Sequence, residues 1–527
     1  MKSIKNKLNL LKTGALTLFL LTGTASGANA QTTISGQVTD LKKQPVANAN
    51  VFIKDSYDGA TADAQGKYSF STSETGNMML VCSMMGYGTV EKPVALNGGT
   101  LTIDITLEGK VQEFDVVVIS AGTIEASDEK KTTVLKPLDI VTTAGASGDI
   151  YGALKTLPGT QQVGESEGLF VRGGTGAETK TIIDGMAVNN PFFSSVPDIA
   201  SRGRFSPFLF KGTVFSTGGY SAQYGQALSS VLVLETQDLP ERTSSTLAVS
   251  SVGVGGGHNQ LWKEKNMSAG FDINYTNLAP YFALVKQLPD YVRKPEFTGG
   301  SLNFRKKTSE TGILKFYGYF NLGDLALRRQ DIDSIIDYKS LFDLKNDNVY
   351  TNLSYREYVG RWRVDAATSF SHNRDRIIFD ADSISAISQL SQGRVMMQRG
   401  LGIRSQIRFG GEYQYLVEDG KYNQYAYGFF DNYGSGFAEA DFYFGPKIVA
   451  RAGGRFESSS ILAKTCLAPR ASLAFKTGNN SQASVAYGDF YQKPERDYLY
   501  TPAGIGYEKA TPSPSAWKRI TKSTASC

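Results

Sequence analysis

Apolar and polar residues alternate through the second half of the chain, from about residue 242 onward. A period of two is typical of β-strands with one face in an apolar environment. Runs of about ten residues recur, with small and aromatic residues on the apolar face and many arginines opposite. This pattern predicts antiparallel transmembrane strands around a polar lumen, although a soluble sandwich would alternate similarly. The opposed series are Leu314, Phe316, Phe320 and Leu322 against Lys315, Tyr317, Tyr319 and Asn321; Trp362, Val364 and Ala366 against Arg361, Arg363 and Asp365; Leu401, Ile403, Ile407 and Phe409 against Arg404, Gln406 and Arg408; and Ile448, Ala450 and Ala452 against Lys447, Arg451 and Arg455.

Residues 31–109 show shorter alternating runs, separated by turn-forming residues. The runs ISGQVTD, NANVFIKD, GKYSFST, MLVCSMMGYG and LTIDITL predict about seven short strands. Two layers of such strands can enclose a modest core, so we expect a small β-sandwich here.

Between these regions, residues 119–240 combine strands with one predicted helix. The stretch EGLFVRGGTGAETKTIIDGMAVNNPF contains two short apolar runs, each followed by a glycine-bearing turn, and these predict a hairpin. The helix is expected over residues 148–156, with Asp149 near its start and Pro158 and Gly159 after its end. The runs FLFKGTVFST and VLVLET predict two further strands.

The VRGG and IDG sequences, followed by GTVFSTGGYSAQYGQALSSVLVLET, resemble the plug of a TonB-dependent outer-membrane receptor. The spacing of GQVTD, PVANANVFI and DAQGKYSF resembles the carboxypeptidase-regulatory-like domain that precedes many Bacteroidetes receptors of this kind. Together these resemblances imply an all-β fold: a small β-sandwich, an α+β plug and an antiparallel transmembrane β-barrel. Arg172 and Asp184 are expected as internal contacts of the plug. The plug-core residues implied by the resemblance are Arg172, Gly173, Gly174, Asp184, Gly185, Tyr224 and Gly225.

The linker over residues 110–122 contains an isolated β-forming run, EFDVVVISAG. Such a run is often one more edge strand. An unpaired strand is also what a partner sheet needs for strand addition. In its sequence and its position before the plug, the run resembles a TonB box. In that family TonB pairs with the box and pulls on it, which couples proton-motive force to remodelling of the plug. The box residues would be Asp115, Val116, Val117, Val118, Ile119 and Ser120.

The first 30 residues have the layout of a secretory signal peptide, with four lysines, a short apolar run and a final Ala28, Asn29, Ala30. Removing these lysines lowers the formal net charge from +5 to +1, so charge gives no argument for a nucleic-acid partner. The composition, with 55 glycines, 29 phenylalanines and 27 tyrosines, suits many short strands. Cys82, Cys466 and Cys527 form no recognisable disulfide or metal pattern, so we expect unpaired or buried thiols.

Catalytic chemistry is not indicated. The only histidines, His258 and His372, occupy unrelated positions and support neither a triad nor a metal site. The glycines of residues 253–257 precede no helix pattern, which argues against a phosphate loop. Ser221 is not in a nucleophile elbow, because Gln223 stands where the second glycine would be. We therefore expect neither an enzyme nor a cofactor.

The end of the chain departs from the resemblance. Residues 241–510 hold about twelve to fourteen predicted strands, whereas plugged transporters have about 22. A twelve-strand barrel would have a radius of roughly 12 Å, too small for a plug of about 17 Å radius. The tail, residues 511–527, has two prolines, no alternation and a terminal cysteine. We therefore expect a truncated or frameshifted receptor with an incomplete barrel.

The leading hypothesis is active import of a scarce nutrient, of the siderophore, cobalamin, or oligosaccharide or peptide class. The resemblance implies a Gram-negative outer-membrane protein with a periplasmic N-terminal domain. It also implies the TonB–ExbB–ExbD complex and outer-membrane lipid as partners, with a surface lipoprotein as a further candidate. The alternative is a signalling or adhesion receptor in which the sandwich is the working module. Polar stretches at residues 328–348 and 380–393 are expected as extracellular loops that contribute to ligand contacts, together with the plug apices.

Overall fold

The computed structural model describes residues 31–109 and 133–526, with several short stretches excepted. The predicted signal peptide, linker and TonB box lie outside the described residues. Within the described part of the chain, no helix combines the length and apolar character needed to cross a membrane. The excepted stretches are 55, 57, 85, 164–166, 198, 219, 288, 331–338, 402–404, 446, 478–481, 495–499, 504–505 and 510–517.

The N-terminal region is a β-sandwich of eight strands, one more than the sequence predicts. One sheet has the order β4-β1-β7, with β8 also paired to β1, and the other has the order β3-β2-β5-β6. The predicted LTIDITL strand is split into β7 and β8. The strands are β1 (Thr32–Asp40), β2 (Asn50–Ile53), β3 (Gly59–Thr61), β4 (Lys67–Thr72), β5 (Gly76–Ser83), β6 (Val90–Leu96), β7 (Gly99–Thr102) and β8 (Ile105–Leu107).

The sandwich core is apolar and includes a free thiol. Ile34, Val51 and Leu80 are fully or almost fully buried, as is Cys82. Burial raises the pKa of the Cys82 thiol to about 12, so the reactive thiolate is scarce at neutral pH. Among the described cysteines, Cys82 and Cys466 are both free, as expected.

The plug contains a five-stranded mixed sheet with the order β13-β12-β15-β14-β9 and a separate β10-β11 pair. The predicted helix is present but shorter, because Asp149 caps it and it ends at Leu154. The plug elements are β9 (Thr133–Leu135), α1 (Pro137–Thr142), α2 (Ile150–Leu154), β10 (Thr160–Gln161), β11 (Phe170–Val171), β12 (Thr179–Ile183), β13 (Met186–Ala187), β14 (Phe210–Ser216) and β15 (Ser230–Thr236).

The predicted hairpin between the two apolar runs of the plug motif is wrong. β11 pairs with β10, whereas β12 forms a tight hairpin with β13 and a parallel ladder with β15. A parallel partner about 50 residues away is set by tertiary packing, so local turn chemistry could not reveal it.

The C-terminal region is an antiparallel sheet of fourteen strands in consecutive order from β16 to β28, followed by β31. It includes β31 in the tail, where the sequence shows no alternation. The strands are β16 (Ser244–Ser250), β17 (Gly253–Trp262), β18 (Met267–Asn277), β19 (Asp290–Lys307), β20 (Ile313–Gln330), β21 (Lys339–Val359), β22 (Trp362–Phe379), β23 (Asp382–Leu401), β24 (Ser405–Tyr422), β25 (Tyr425–Tyr443), β26 (Ile448–Ser459), β27 (Lys464–Lys476), β28 (Gln482–Gln492) and β31 (Lys518–Ser526); β29 (Tyr500–Ala503) and β30 (Gly506–Lys509) pair separately, and α3 (Ala279–Leu284) lies between β18 and β19.

Two sequence expectations about this sheet are wrong. The segment 401–409 is not one strand, because β23 ends at Leu401 and β24 begins at Ser405, so the two form a hairpin. Residues 380–393 and the described parts of 328–348 belong mostly to strands rather than loops. Strands of 18 to 21 residues extend well beyond the roughly ten that cross a bilayer, and their polar ends resemble loops in sequence.

The two faces of the sheet differ as the alternation predicts. Arg363, Arg408 and Arg455 are buried on the face that contacts the plug, whereas Leu302 and Val395 are exposed on the other. The chain enters the sheet at the start of β16, and we call this the plug-entry end. Turns 308–312, 360–361 and 444–447 lie there, and turns 251–252, 380–381 and 423–424 lie at the opposite end.

Candidate functional site

The glycine-bearing motifs of the plug form two tight turns. Arg172 and Asp184 have φ values of 49° and 46°, and Gly173 and Gly185 follow with φ values of 80° and 86°. A positive φ is unfavourable for residues with a side chain but not for glycine. Both turns therefore hold one strained residue next to one glycine.

The two turns have different surroundings. The carboxylate of Asp184 accepts hydrogen bonds from the amide (2.9 Å) and hydroxyl (2.6 Å) of Thr236. Arg172 is exposed, and its guanidinium donates one hydrogen bond to the Thr217 carbonyl at 3.2 Å. Asp184 is thus the stronger candidate for a structural contact. Gly174 is closely packed against the Glu178 carboxylate.

A cluster of buried charges joins the plug to the sheet at the plug-entry end. Lys315 Nζ lies 3.2 Å from Asp238 Oδ1, 3.7 Å from Glu235 Oε1 and 3.8 Å from Asp184 Oδ1. Arg356 Nη1 donates to Glu235 Oε1 at 3.1 Å. Burial alone would raise the pKa of Glu235, but the neighbouring cations outweigh it and lower that pKa to about 2. We call these residues, together with Lys211, the entry cluster.

A second charged cluster surrounds Gly225. Arg455 is fully buried and contacts the carboxylates of Glu412 (2.5 Å) and Glu457 (2.7 Å). A Cβ on Gly225 would lie only 2.6 Å from Arg455 Cζ, so glycine is required for this approach. Nearby, the guanidinium of Arg394 lies 5.9 Å from the ring of Tyr224.

At the opposite end, the plug loop of residues 189–206 is held against the sheet by Arg204. Its guanidinium donates to Asn346 Oδ1 (3.0 Å) and Asn373 Oδ1 (3.2 Å). It also lies 5.0 Å from the ring of Phe193. We call residues 189–206 the apex loop.

Asp149 connects the apex loop to α2. One carboxylate oxygen accepts the Gly152 amide as the helix cap, and the other accepts the Gly203 amide at 3.2 Å. Tyr151 of the same helix packs against Phe192 of the loop, with ring centroids 4.2 Å apart. The apex loop and α2 are therefore joined by direct contacts.

A cavity of about 690 Å³ lies between the apex loop and strands β18 to β21. Within the described part of the chain, five of its lining residues have a buried side-chain atom without a hydrogen-bond partner: Ser201 Oγ, Arg204 Nε, Tyr317 Oη, Asn321 Oδ1 and Asp324 Oδ1. Unpartnered buried polar atoms are uncommon and suit a site whose ligand completes the hydrogen bonds. Other lining residues include Phe193, Arg202, Asp272, Asn274, Phe297 and Tyr319.

Comparison with known proteins agrees with this architecture. Residues 34–119 match the family model described as the CarboxypepD_reg-like domain. Residues 127–232 match the TonB-dependent Receptor Plug Domain, and this range contains most of the mixed sheet and both turn motifs. The chain therefore carries the plug domain of the TonB-dependent receptors, preceded by a CarboxypepD_reg-like domain. Such receptors lie in the outer membrane of Gram-negative cells, and the family consists of receptors and transporters rather than enzymes.

Two curated relatives match part of this receptor. TonB-dependent receptor P39 of Formosa agariphila is 27% identical over 235 residues, which cover 42% of this chain and 21% of that protein. TonB-dependent receptor SusC of Bacteroides thetaiotaomicron is 28% identical over 172 residues, covering 30% of this chain and 16% of that protein. The matched region therefore spans about a fifth of these relatives.

Solved structures share the fold. The ferric enterobactin receptor PfeA of Pseudomonas aeruginosa has a TM-score of 0.53 at 13% identity, covering 71% of this chain and 65% of that one. The alcaligin receptor FauA of Bordetella pertussis has a TM-score of 0.52 at 12% identity, covering 72% and 68%. Both are receptors, and FauA is an outer-membrane receptor.

The residues that join the plug to the sheet were only partly visible in the sequence. Alternation correctly placed Lys315, Tyr317, Asn321 and Arg455 on the polar face. It could not show that Lys315 and Arg455 contact the plug or that Tyr317 and Asn321 line a cavity, because the partners lie far away in sequence.

Proposed function

We propose that this receptor binds a nutrient in the cavity beneath the apex loop and imports it by remodelling the plug. The observation that carries the proposal is the position of the cavity. It lies at the end opposite to the plug-entry end, between the apex loop and the sheet. A ligand bound there contacts both the plug and the sheet. Its affinity therefore depends on the position of the plug.

Among the possible nutrient classes, the cavity lining favours an oligosaccharide. Its aromatic rings, including Phe193 and Phe297, provide apolar faces, while Asn274 and Asn321 provide amide groups. Its volume of about 690 Å³ is typical of sites that enclose most of a small ligand. Hydroxyl groups can serve both Asn321 Oδ1, which needs a donor, and the unpartnered hydroxyls. A polyhydroxylated ligand with apolar ring faces therefore fits this lining.

Tyr317→Phe tests the cavity as the ligand site. The Tyr317 hydroxyl has no partner in the described structure, so its loss should leave the free energy of unfolding nearly unchanged. Ligand affinity should fall by about 2- to 10-fold, the usual value of one neutral hydrogen bond. Growth on single glycan, iron and cobalamin sources identifies the ligand, and calorimetry then measures its affinity.

Tyr350→Phe is the matched control. The Tyr350 hydroxyl accepts a hydrogen bond from Asn352 and does not line the cavity. This change should lower stability without altering affinity. Equal affinities of wild type and Tyr317→Phe for the imported ligand would place the binding site elsewhere.

Energy for import would come from TonB, acting with ExbB and ExbD on the predicted box at Asp115 to Ser120. The position supports this proposal, because the run precedes β9 in the chain, and β9 is the first described element of the plug. In this arrangement the N-terminal sandwich is periplasmic. A strand added to the box would place TonB where it can pull on the N-terminal edge of the plug.

Val117→Pro tests this coupling. Proline removes a backbone donor and blocks strand addition, while the cavity is unaffected. Uptake should fall to the background of a strain without TonB, and ligand binding to whole cells should remain at the wild-type level. A conservative Val117→Ile change serves as the control. Wild-type uptake by the proline variant would exclude this run as the TonB contact.

A further inference from the structure

The outward face of the sheet contains an apolar groove that transport does not explain. It has a volume of about 560 Å³ and crosses strands β20 to β24. Its walls include three partly exposed side chains, Leu353 (40% exposed), Val395 (51%) and Tyr413 (53%). Register places Thr368 and Gly393 between Leu353 and Tyr413 on this same face.

Glycines form the floor of this groove, and at Gly393 no local steric need explains the glycine. A Cβ added to Gly393 would meet no atom within 4 Å, and one added to Gly411 would be 3.3 Å from the Ser435 carbonyl oxygen. Neither residue has a positive φ. Glycine weakens a strand and often marks close approach by a ligand. The open space at Gly393 is therefore better explained by an occupant than by packing within the sheet.

Arg399 lies on the same face at the plug-entry end. It pairs across the strands with Trp362, and its guanidinium carbon lies 5.4 Å from the Trp362 ring. Phe409 packs edge-on against that ring at 5.6 Å. Within the described residues, Arg399 Nε is buried and has no hydrogen-bond acceptor. Tryptophan and arginine at a strand end are typical of the membrane interface, where lipid phosphates lie.

The distance between the groove and Arg399 allows one lipid molecule to reach both. Gly393 and Val395 precede Arg399 by six and four residues, or about 20 and 13 Å along a strand. One leaflet provides about half of the 30 Å hydrocarbon core. We propose that this face binds one glycerophospholipid from the leaflet at the plug-entry end, with its phosphate on Arg399 and an acyl chain in the groove.

A phospholipid matches the site better than a second protein chain does. The groove lies in the middle of a sheet face that the membrane covers, so acyl chains surround it at high concentration. Arg399 supplies a cation that complements the negative charge of a phosphate, whereas a neutral protein strand offers no anion. The lipid would hold strands β22 to β24 together from outside. This site is independent of the imported ligand and of TonB.

The test is lipid retention by the full chain, extracted from outer membranes in mild detergent and measured by native mass spectrometry. Wild type should keep one phospholipid after a detergent wash that removes the rest. Arg399→Gln removes the phosphate contact and Gly393→Leu fills the groove. Arg399→Gln should lower the retained fraction by about ten-fold or more, the value of one charged hydrogen bond. Gly393→Leu should also lower it, because the leucine occupies the space of the acyl chain. Arg399→Lys should keep part of the retention.

Two controls match these variants. Gly454→Leu adds the same side chain to another outward glycine, whose added Cβ would meet its nearest atom at 3.8 Å. Lys447→Gln removes an exposed cation from the same rim. Both should retain lipid as wild type does, and heat-dependent gel migration confirms folding of each protein.

An add-back experiment separates phosphate recognition from simple apolar binding. Delipidated wild type should bind dioleoyl phosphatidylglycerol about ten-fold more tightly than dioleoylglycerol, and Arg399→Gln should lose this preference. Equal retention by all folded variants would overturn the proposal. So would folded wild type that keeps no lipid, or wild type that binds both lipids equally.

Discussion

Gly225→Val should displace the plug and admit large antibiotics. The new side chain would occupy the space of the Arg455 guanidinium, which is fully buried and cannot move aside. Arg455 also donates to Ser435 Oγ at 2.6 Å and to Tyr433 Oη at 3.1 Å, so any shift breaks several contacts together. Separating a buried ion pair of this kind costs about 3–5 kcal/mol. We expect a large fall in the inhibitory concentration of vancomycin.

Gly454→Val is the control for this prediction. Gly454 lies on the same strand as Arg455 but on the outward face. A Cβ added there would lie 3.8 Å from its nearest atom, the Ala468 carbonyl oxygen. Its vancomycin resistance should equal that of wild type. An intact permeability barrier in a folded Gly225→Val receptor would mean that the plug accommodates the added volume.

Lys315→Met should release the plug at its other junction with the sheet. Lys315 lies within 4 Å of Asp184, Glu235 and Asp238, and methionine leaves these carboxylates with fewer cations. The expected loss is again about 3–5 kcal/mol. Hydrogen exchange in the amides of β15 should accelerate, because local opening becomes easier.

The comparison for Lys315 is an exposed ion pair on the same sheet. Arg376 and Asp347 form a pair with side chains that are 44% and 35% exposed. Pairs of this kind contribute about 0–1 kcal/mol, so Arg376→Met should leave β15 exchange unchanged. Similar exchange in both variants would show that the entry cluster does not hold the plug.

Acid should have the same effect as Lys315→Met. The pKa of Glu235 lies near 2 in the folded protein, below its ordinary 4.5, because nearby cations outweigh burial. The stabilisation from ionised Glu235 is therefore complete above pH 4.5 and is lost as the pH falls towards 2. In Glu235→Gln, exchange in β15 should depend less on pH across this window.

How far the sequence predicts this fold depends on the range of the interactions. Alternation placed Lys315 and Arg455 on the inner face because strand period is a local property. The hairpin predicted within the plug motif failed because the partner of β12 is β15, which tertiary packing selects. The sequence predicts loops near residues 339 and 382, where the structure has strand ends, because polar residues continue the strands.

The candidate site was harder to predict than the fold. The resemblance points to Gly225. The residue that requires a glycine there is Arg455, which lies 230 positions away in the sequence. Tyr317 and Asn321 were assigned to the polar face, yet their lack of partners is visible only when the apex loop is in place. Long-range complementarity of this kind leaves no periodic signal in the sequence.

The position of β9 determines how the plug responds to mechanical force. This strand is three residues long and lies at the edge of the mixed sheet, paired only with β14 among the described strands. A pull on the chain before Thr133 is therefore resisted first by this short ladder, while β12 and β15 lie deeper in the sheet. The plug can then extend in steps from its N-terminal edge. The work of the first step is that of detaching one short strand, not that of unfolding the whole domain.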